Sequence, residues 1–245
     1  MDLHDLQRQW DTFGETDPLW GVLSWPDKAG QRWQIEEFFA TGRAEIAEVL
    51  AESARLGLEP ARGAALDFGC GVGRLSQALA EQFAQVHGVD ISPVMLEWAR
   101  GYNRFGERCI YHLNARADLS TFPTASFDFI YSNITLQHMA PRYSRGYLAE
   151  FLRLLKPGGL LIFQLPSHPR ARWRRLIQPL KGSALFRLYQ RLRYGQQPIM
   201  EMYSIPQTQA TRLLAAQGGR VAAVQPNTDA DAHWFSFRYF VIKNA

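Results

Sequence analysis

The chain has 245 residues, 47% hydrophobic and 20% charged, which excludes an intrinsically disordered chain and allows one large α/β domain with additions. No apolar run approaches the ~20 residues of a membrane span, and the opening MDLHDLQRQWD lacks the basic start and apolar centre of a signal peptide. The net charge of +4 is uneven: eight basic residues and no acid lie between Ser167 and Met200, which leaves a mildly acidic body of net −4.

Residues 1–30 are rich in aromatics and turn signals, with Trp10, Phe13, Trp20 and Trp25 beside Asp17-Pro18 and Trp25-Pro26. A helix is expected to about Phe13, then an irregular arm whose rings cap the core or form a lid. Gln31 to Leu56 reads as a helix, with Ile35, Phe38, Phe39, Ile46, Val49 and Leu50 at helical spacing. Gly42 inside it costs about 1 kcal/mol against Ala, so a close backbone approach, to a cofactor, is expected there. Arg43 beside it is either a solvated helix charge or a partner for a ligand carboxylate.

The next stretch organises the rest. Ala64–Phe68 is a short apolar run carrying Asp67, followed by the turn Gly69-Cys70-Gly71-Val72-Gly73 and a helical pattern from Leu75 through Leu79 to Phe83. Glycine serves where backbone must turn sharply or lie against a ligand, and the helix start presents unpaired N–H groups to whatever occupies the turn. Arg74 stands where a G-x-G-x-x-G dinucleotide turn has its last glycine. The second strand, Gln85–Asp90, ends in an acid 21 residues after Gly69, the place where a nucleotide fold holds ribose hydroxyls. Ser92-Pro93 then opens a helix through Met95, Leu96 and Ala99.

Cys109–Leu113 is a third strand, and Phe127–Ser132 a fourth, central and buried. Asn133 to Met139 leaves its carboxyl end, on the side where open α/β sheets bind ligands. Pro141 opens a helix to Leu155, which Pro157-Gly158-Gly159 stops before a fifth strand at Leu160–Leu165. Alternating strands and helices predict right-handed crossovers and a mostly parallel, doubly wound sheet. Pro206–Gln217 is a last helix, stopped by Gly218-Gly219, and Val221–Val224 and Trp234–Ile242 are the last two strands. No internal repeat or low-complexity tract is evident.

The words LDFGCGVGRLSQALA, GVDISPVMLEWAR, SFDFIYSNITLQHM and FLRLLKPGGLLI occur in this order over residues 64–165. Together they resemble the motifs of the class I S-adenosylmethionine-dependent methyltransferases, of the small-molecule type. The resemblance implies an α/β Rossmann-like fold with a seven-stranded sheet whose final strand is antiparallel. It divides the chain into an N-terminal helical arm or lid at 1–60 and a cofactor-binding domain at 61–245 with a helical insertion at about 167–203. It also implies that S-adenosylmethionine, leaving as S-adenosylhomocysteine, is held by Asp67, Gly69, Cys70, Gly71, Gly73, Asp90, Ile91, Met95 and Asn133. Asp118 and Leu119 would meet the adenine, through a side chain and a backbone N–H respectively. His138 is the candidate base for an acceptor hydroxyl; relatives keep a histidine here either for catalysis or to shape the pocket, and both readings stand. His168, Glu201, Tyr203 and His233 are further residues that could reach an acceptor, with no motif behind them.

Such chemistry is an in-line displacement from an already activated sulfur, so the protein mainly aligns the reactants and excludes water. No metal site is expected: HExxH and Cys/His ligand clusters are absent from the sequence. Cys70 and Cys109 are too few for a disulfide framework, and a reducing cytoplasm is the expectation. Cys70 reads as a small residue that fits the turn.

The basic stretch 170–193 carries Leu185, Leu188, Tyr189 and Leu192 at helical spacing, with a further helix expected around Trp173–Leu180. It is read as a cap over the acceptor, as a contact for an anionic surface, or as a solvated face. Nucleic acid is disfavoured, since the Asn/Asp-Pro-Pro-Tyr signature is replaced by Ser132-Asn133-Ile134-Thr135. The leading functional reading is methyl transfer to a small-molecule acceptor, by O- or N-methylation of a natural-product or lipid-like intermediate. RNA or protein methylation, or an inactive scaffold, are the alternatives.

Overall fold

A computed structural model describes residues 2–171, 200–229 and 232–244. Seven strands form one sheet in the order β3-β2-β1-β4-β5-β7-β6. They are β1 (Ala64–Phe68), β2 (Gln85–Asp90), β3 (Cys109–Leu113), β4 (Phe127–Ser132), β5 (Leu155–Pro169), β6 (Gly219–Asn227) and β7 (Trp234–Lys243). Strands β1 to β5 pair in parallel, and β7 runs antiparallel between β5 and β6. Order reverses between β1 and β4, so the loops leaving their carboxyl ends diverge and open a crevice.

The central strands are buried on both faces, which is why β4 reads as the unbroken apolar run FDFIYS. Strand alternation divides β1: Leu66 and Phe68 enter one core layer with Phe151 and Leu148, while Ala65 enters the opposite layer with Leu79 and Ile46. The helices are α1 (Leu3–Thr16), α2 (Pro18–Val22), α3 (Ile35–Arg55), α4 (Arg74–Ala80), α5 (Pro93–Tyr102), α6 (Pro141–Leu154) and α7 (Gln207–Ala216). Each large apolar side chain fully buried in these layers contributes roughly 1.5–3 kcal/mol.

Several boundaries differ from expectation for local reasons. The first helix continues to Thr16, and the expected irregular arm contains α2, because Asp17 accepts from Trp20 N at 3.4 Å and caps it. The other oxygen of Asp17 accepts from Gly30 N and Gln31 N, both at 2.8 Å, and the Trp33 indole donates to Leu23 O at 3.1 Å. One carboxylate and one ring N–H thus hold the chain between α2 and α3. Strand β5 begins at Leu155: Pro157-Gly158-Gly159 is an excursion within it, with Gly158 at φ 75°, and pairing jumps from Phe127↔Leu155 to Phe129↔Leu160. The same strand runs on to Pro169, paired with Trp234, so residues 167–169 belong to the sheet and not to a helical segment. The helices expected within 170–193 lie outside the described residues. Among the described residues, no helix is long and apolar enough to cross a membrane.

Candidate active site

The glycine turn joins β1 to α4 with Gly69, Gly71 and Gly73 all at positive φ, 79°, 52° and 84°. A side chain at Gly69 would meet Thr135 at 2.2 Å, and one at Gly71 would meet Val22 Cγ2 at 2.6 Å. The turn therefore lets the segment after β4 close in from one side and α2 from the other.

Asp90, at the carboxyl end of β2, organises the neighbouring backbone. Its Oδ2 accepts from Gly71 N at 2.8 Å and its Oδ1 from Ser92 N at 2.9 Å. Burial raises its pKa, and the N–H bonds from Ser92 and Gly71 oppose that rise. Ser92 caps α5 by accepting from Met95 N at 3.1 Å, and its hydroxyl donates to Asp11 on α1 at 2.6 Å. The Trp98 indole adds a bond to Gly14 O at 3.0 Å, so α1 is tied across the mouth of the crevice.

Beneath α1 and α2 lies a cavity of about 870 Å³, counting space open to solvent. Gly69, Cys70, Gly71, Asp90, Ile91, Met95, Asn133 and His138, all expected at the site, line it together. Leu3, Leu6 and Trp10 from α1 and Val22 from α2 form its cover, with Phe68, Ile134, Met139 and Tyr147 among its apolar walls. Of the four N-terminal rings, Phe13 packs in a core cluster with Trp10 and Trp20 against it, Trp10 also lines the cavity, and Trp25 is exposed.

Four expected site residues do not line it. Asp67 points with Ala65 toward α4, where its Oδ2 accepts from Ser76 Oγ at 2.6 Å; its Oδ1 is buried without a partner, and burial pushes its pKa up to about 7. Gly73 sits at the start of α4 against Tyr111, whose hydroxyl a side chain there would meet at 2.4 Å. Asp118 turns back on its own loop, accepting from Ser120 N at 3.2 Å and Ser120 Oγ at 2.7 Å, and these bonds lower its pKa. Leu119 is packed in the core and its N–H is committed to Glu150 Oε2 at 2.9 Å. In this geometry the Leu119 N–H expected to meet adenine is already taken, and Asp118 Oδ1 is turned to Ser120. The cavity is lined instead by Asn114, the first residue after β3, whose Nδ2 donates to Asp118 O at 3.0 Å.

Arg74 was read only as the missing glycine. It is buried, lines the cavity, and donates to Glu45 Oε2 at 2.7 Å and Thr41 Oγ1 at 3.3 Å. Gly42 explains itself here: a Cβ would lie 2.5 Å from Arg74 O, so the close approach is to α4, not to a ligand. Arg43 is exposed and borders a separate depression with Arg104 and Phe105.

His138 is buried and meets Trp10 edge-on, with ring centroids 5.4 Å apart. Its Nδ1 lies 2.9 Å from Glu201 O, which only accepts, so Nδ1 carries the proton and Nε2 takes the Gln137 amide at 3.1 Å. Gln137 Oε1 accepts from Gln164, and Gln164 Oε1 accepts from Ile134 N. This buried chain holds Ile134 at φ 56°, a strained value for a β-branched residue, at the cavity wall. Burial pushes the His138 pKa down to about 4. His168, Glu201, Tyr203 and His233 do not line the cavity. Among the described residues, no group of three His, Cys, Asp or Glu is placed to hold a metal.

Residues 66–163 match a methyltransferase domain family. The chain is 37% identical to trans-aconitate 2-methyltransferase of Streptomyces avermitilis over 145 residues, 57% of this chain and 51% of the relative. It is 37% identical to demethylmenaquinone methyltransferase of Tropheryma whipplei over 129 residues, 53% of this chain and 48% of the relative. It thus spans about half the length of the curated relatives it matches. The fold is shared with magnesium protoporphyrin IX methyltransferase from Synechocystis PCC 6803, solved with S-adenosylhomocysteine (TM-score 0.66, 17% identity, 100% of each chain). Residues 66–163 thus carry a methyltransferase domain, on a fold shared with a methyltransferase solved with S-adenosylhomocysteine.

Proposed function

We propose that this chain transfers the methyl group of S-adenosylmethionine to a small, uncharged and largely apolar acceptor held under α1. One observation carries the reading: a single cavity joins the glycine turn, Asp90 and Asn133 to the apolar cover of Leu3, Leu6 and Trp10. The residues fit the cofactor. Each oxygen of Asp90 accepts one protein N–H and has lone-pair capacity left for a ribose hydroxyl. The cavity crosses the ends of β3, β2, β1 and β4 in that order, from Asn114 to Asn133, which suits adenine, ribose and amino-acid tail in sequence.

When bound, the cofactor supplies a methyl group on a positively charged sulfur. The chain's own part is to hold the acceptor in line and keep water out, which the cover residues do by their apolar surface. Arg74 is the only Lys or Arg among the described lining residues, and Glu45 already pairs with it. That favours a ring of the demethylmenaquinone type over a carboxylate-bearing acceptor such as trans-aconitate. We read His138 as a wall residue. Its Nε2 is occupied by Gln137 and its protonated form is disfavoured by burial, so it holds Trp10 and the loop after β4 in place. Arms 1–60 as lid and 170–193 as acceptor cap complete the proposed organisation, with the latter outside the described residues.

Calorimetric titration with S-adenosylhomocysteine, beside NADH, is the first test, followed by labelled methyl transfer to a panel of phenols, quinols and carboxylic acids. Saturable binding of S-adenosylhomocysteine alone and transfer to the uncharged acceptors is the expected result. Failure to bind it, or transfer only to polyanions, overturns the reading.

A further inference from the structure

Asn133, the first residue after β4, is 7% exposed and lines the cofactor cavity. Its side-chain amide has one nitrogen with two hydrogens and one oxygen that only accepts. The nitrogen Nδ2 lies 2.8 Å from Glu45 Oε1 and 3.0 Å from Asp229 Oδ2, so each hydrogen goes to a different carboxylate. The oxygen Oδ1 is buried and has no partner among the described residues. Reversing the amide would press Oδ1 against two carboxylate oxygens with no proton between them, so the carboxylates fix which way round the amide sits.

The two carboxylates are themselves held. Glu45 Oε1 also takes the Tyr131 hydroxyl at 2.9 Å and its Oε2 takes Arg74. Asp229, which follows β6, takes Arg238 Nη2 at 3.0 Å and Asn227 Nδ2 at 2.9 Å on the same oxygen that takes Asn133. Arg238 is nearly buried on β7. The arrangement joins α3 and the β6–β7 connection, which approach from separate parts of the chain, at one amide.

We propose that Glu45 and Asp229 are positioning residues that present Asn133 Oδ1 to the α-ammonium of the cofactor's amino-acid tail. This rests on the cofactor reading above and names its recognition at the end of β4. A buried acceptor without a partner is unfavourable, and the ligand has to supply the donor. An amide whose hydrogens bind two anions carries added negative charge on its oxygen, which selects a cationic donor. The carboxylates also favour a positive group nearby, and Arg74 and Arg238 pair with them on their far sides. Asn133 stands next to the glycine turn, with Ser132 Oγ donating to Phe68 O at 3.0 Å, at the amino-acid end of the cavity and away from the ribose acid Asp90.

The test measures dissociation constants for three probes by calorimetry: S-adenosylhomocysteine, its analogue lacking only the amino group, and 5′-methylthioadenosine, which lacks the whole tail. Wild-type protein, Asp229→Ala and Asp229→Asn are compared. Asp229→Ala is expected to weaken S-adenosylhomocysteine about tenfold, the loss of one charge-assisted hydrogen bond, and to leave 5′-methylthioadenosine unchanged. The penalty for removing the ligand's amino group shrinks in that variant. Asp229→Asn keeps an acceptor for Asn133 and restores most of the affinity. Equal weakening of S-adenosylhomocysteine and 5′-methylthioadenosine marks a merely structural role and overturns the proposal. So does a wild-type protein that binds the deaminated analogue as tightly as S-adenosylhomocysteine, a result available even if Asp229→Ala does not fold. A wild-type protein that binds none of the three instead defeats the cofactor reading itself.

Discussion

Replacing His138 with Asn tests the buried ring directly. Asn can keep a donor for Glu201 O, the bond that Nδ1 makes at 2.9 Å, while removing the only titrating group at the position. In the folded protein His138 stays neutral down to about pH 4, whereas an unfolded histidine takes a proton near pH 6.5. The unfolded state therefore binds more protons between these values. Stability from this residue is complete above pH 6.5 and is lost as pH falls toward 4. At 1.36 kcal/mol per pKa unit the full loss is about 3 kcal/mol, and about 2 kcal/mol of it has gone by pH 5. The wild-type curve alone hides this, because Asp67 acts in the opposite direction. Folded protein keeps the Asp67 proton to about pH 7, so its contribution is largest in acid and declines as pH rises. His87 adds a loss of the same sign as His138, its pKa lowered to about 4 by burial and by His112. The variant cancels these common contributions. Urea unfolding of wild type and His138→Asn at pH 7 and pH 5 should show a drop between the two pH values smaller by about 2 kcal/mol in the variant. Equal drops would refute the reasoning: the ring would then be solvated, and its contact with Trp10 would not represent a closed cover.

Asp90→Ala should weaken S-adenosylhomocysteine by roughly 1.5–3 kcal/mol for each charged hydrogen bond lost, read by calorimetry; unchanged affinity rejects the ribose role. Replacing residues 172–199 with a short Gly-Ser linker should raise the acceptor KM and spare S-adenosylhomocysteine affinity. A folded linker variant with full turnover at low acceptor concentration rejects the cap.

The sheet was legible because its signals are local. Period and turn chemistry place β1, β2 and β4 within a residue of where they stand, and the glycine turn with Asp90 needs only 22 consecutive positions. Local signals failed where a residue's partner is distant or where two readings share the same letters. Asp118 was read as the adenine acid because the resemblance implies an acid after this strand, whereas the carboxyl-end rule applied to β3 points to Asn114, four residues earlier. Asp67 was drawn into the site by its neighbours, although strand alternation puts it on the α4 face with Ala65. Glu45 and Asp229 lie 88 and 96 residues from Asn133, and no periodicity brings them together. Arg74 was visible as a departure from a pattern, but its burial depends on Glu45 and Thr41 from α3.

Gly71 is where the proposed cofactor turn and the proposed acceptor cover meet, and it yields a prediction that separates two physical demands on one residue. Its N–H donates to Asp90, its φ of 52° is one that L side chains rarely adopt, and its open side is occupied by Val22 of α2. Gly71→Ala therefore imposes about 1–2 kcal/mol of left-handed backbone strain together with a contact at 2.6 Å against Val22 Cγ2. The strain acts on the turn, and so on S-adenosylhomocysteine affinity. The contact acts on the cover, and so on acceptor KM as well. Adding Val22→Ala relieves only the contact. The double variant should regain acceptor KM relative to Gly71→Ala while keeping the part of the cofactor defect due to strain. If Val22→Ala recovers nothing, α2 does not sit on the turn in solution, and the cover and the cofactor turn are independent. If it recovers both fully, the strain is negligible and Gly71 is required only for space. The expected split result makes one glycine serve both halves of the site, because α2 can close over the acceptor only where the cofactor turn has no side chain.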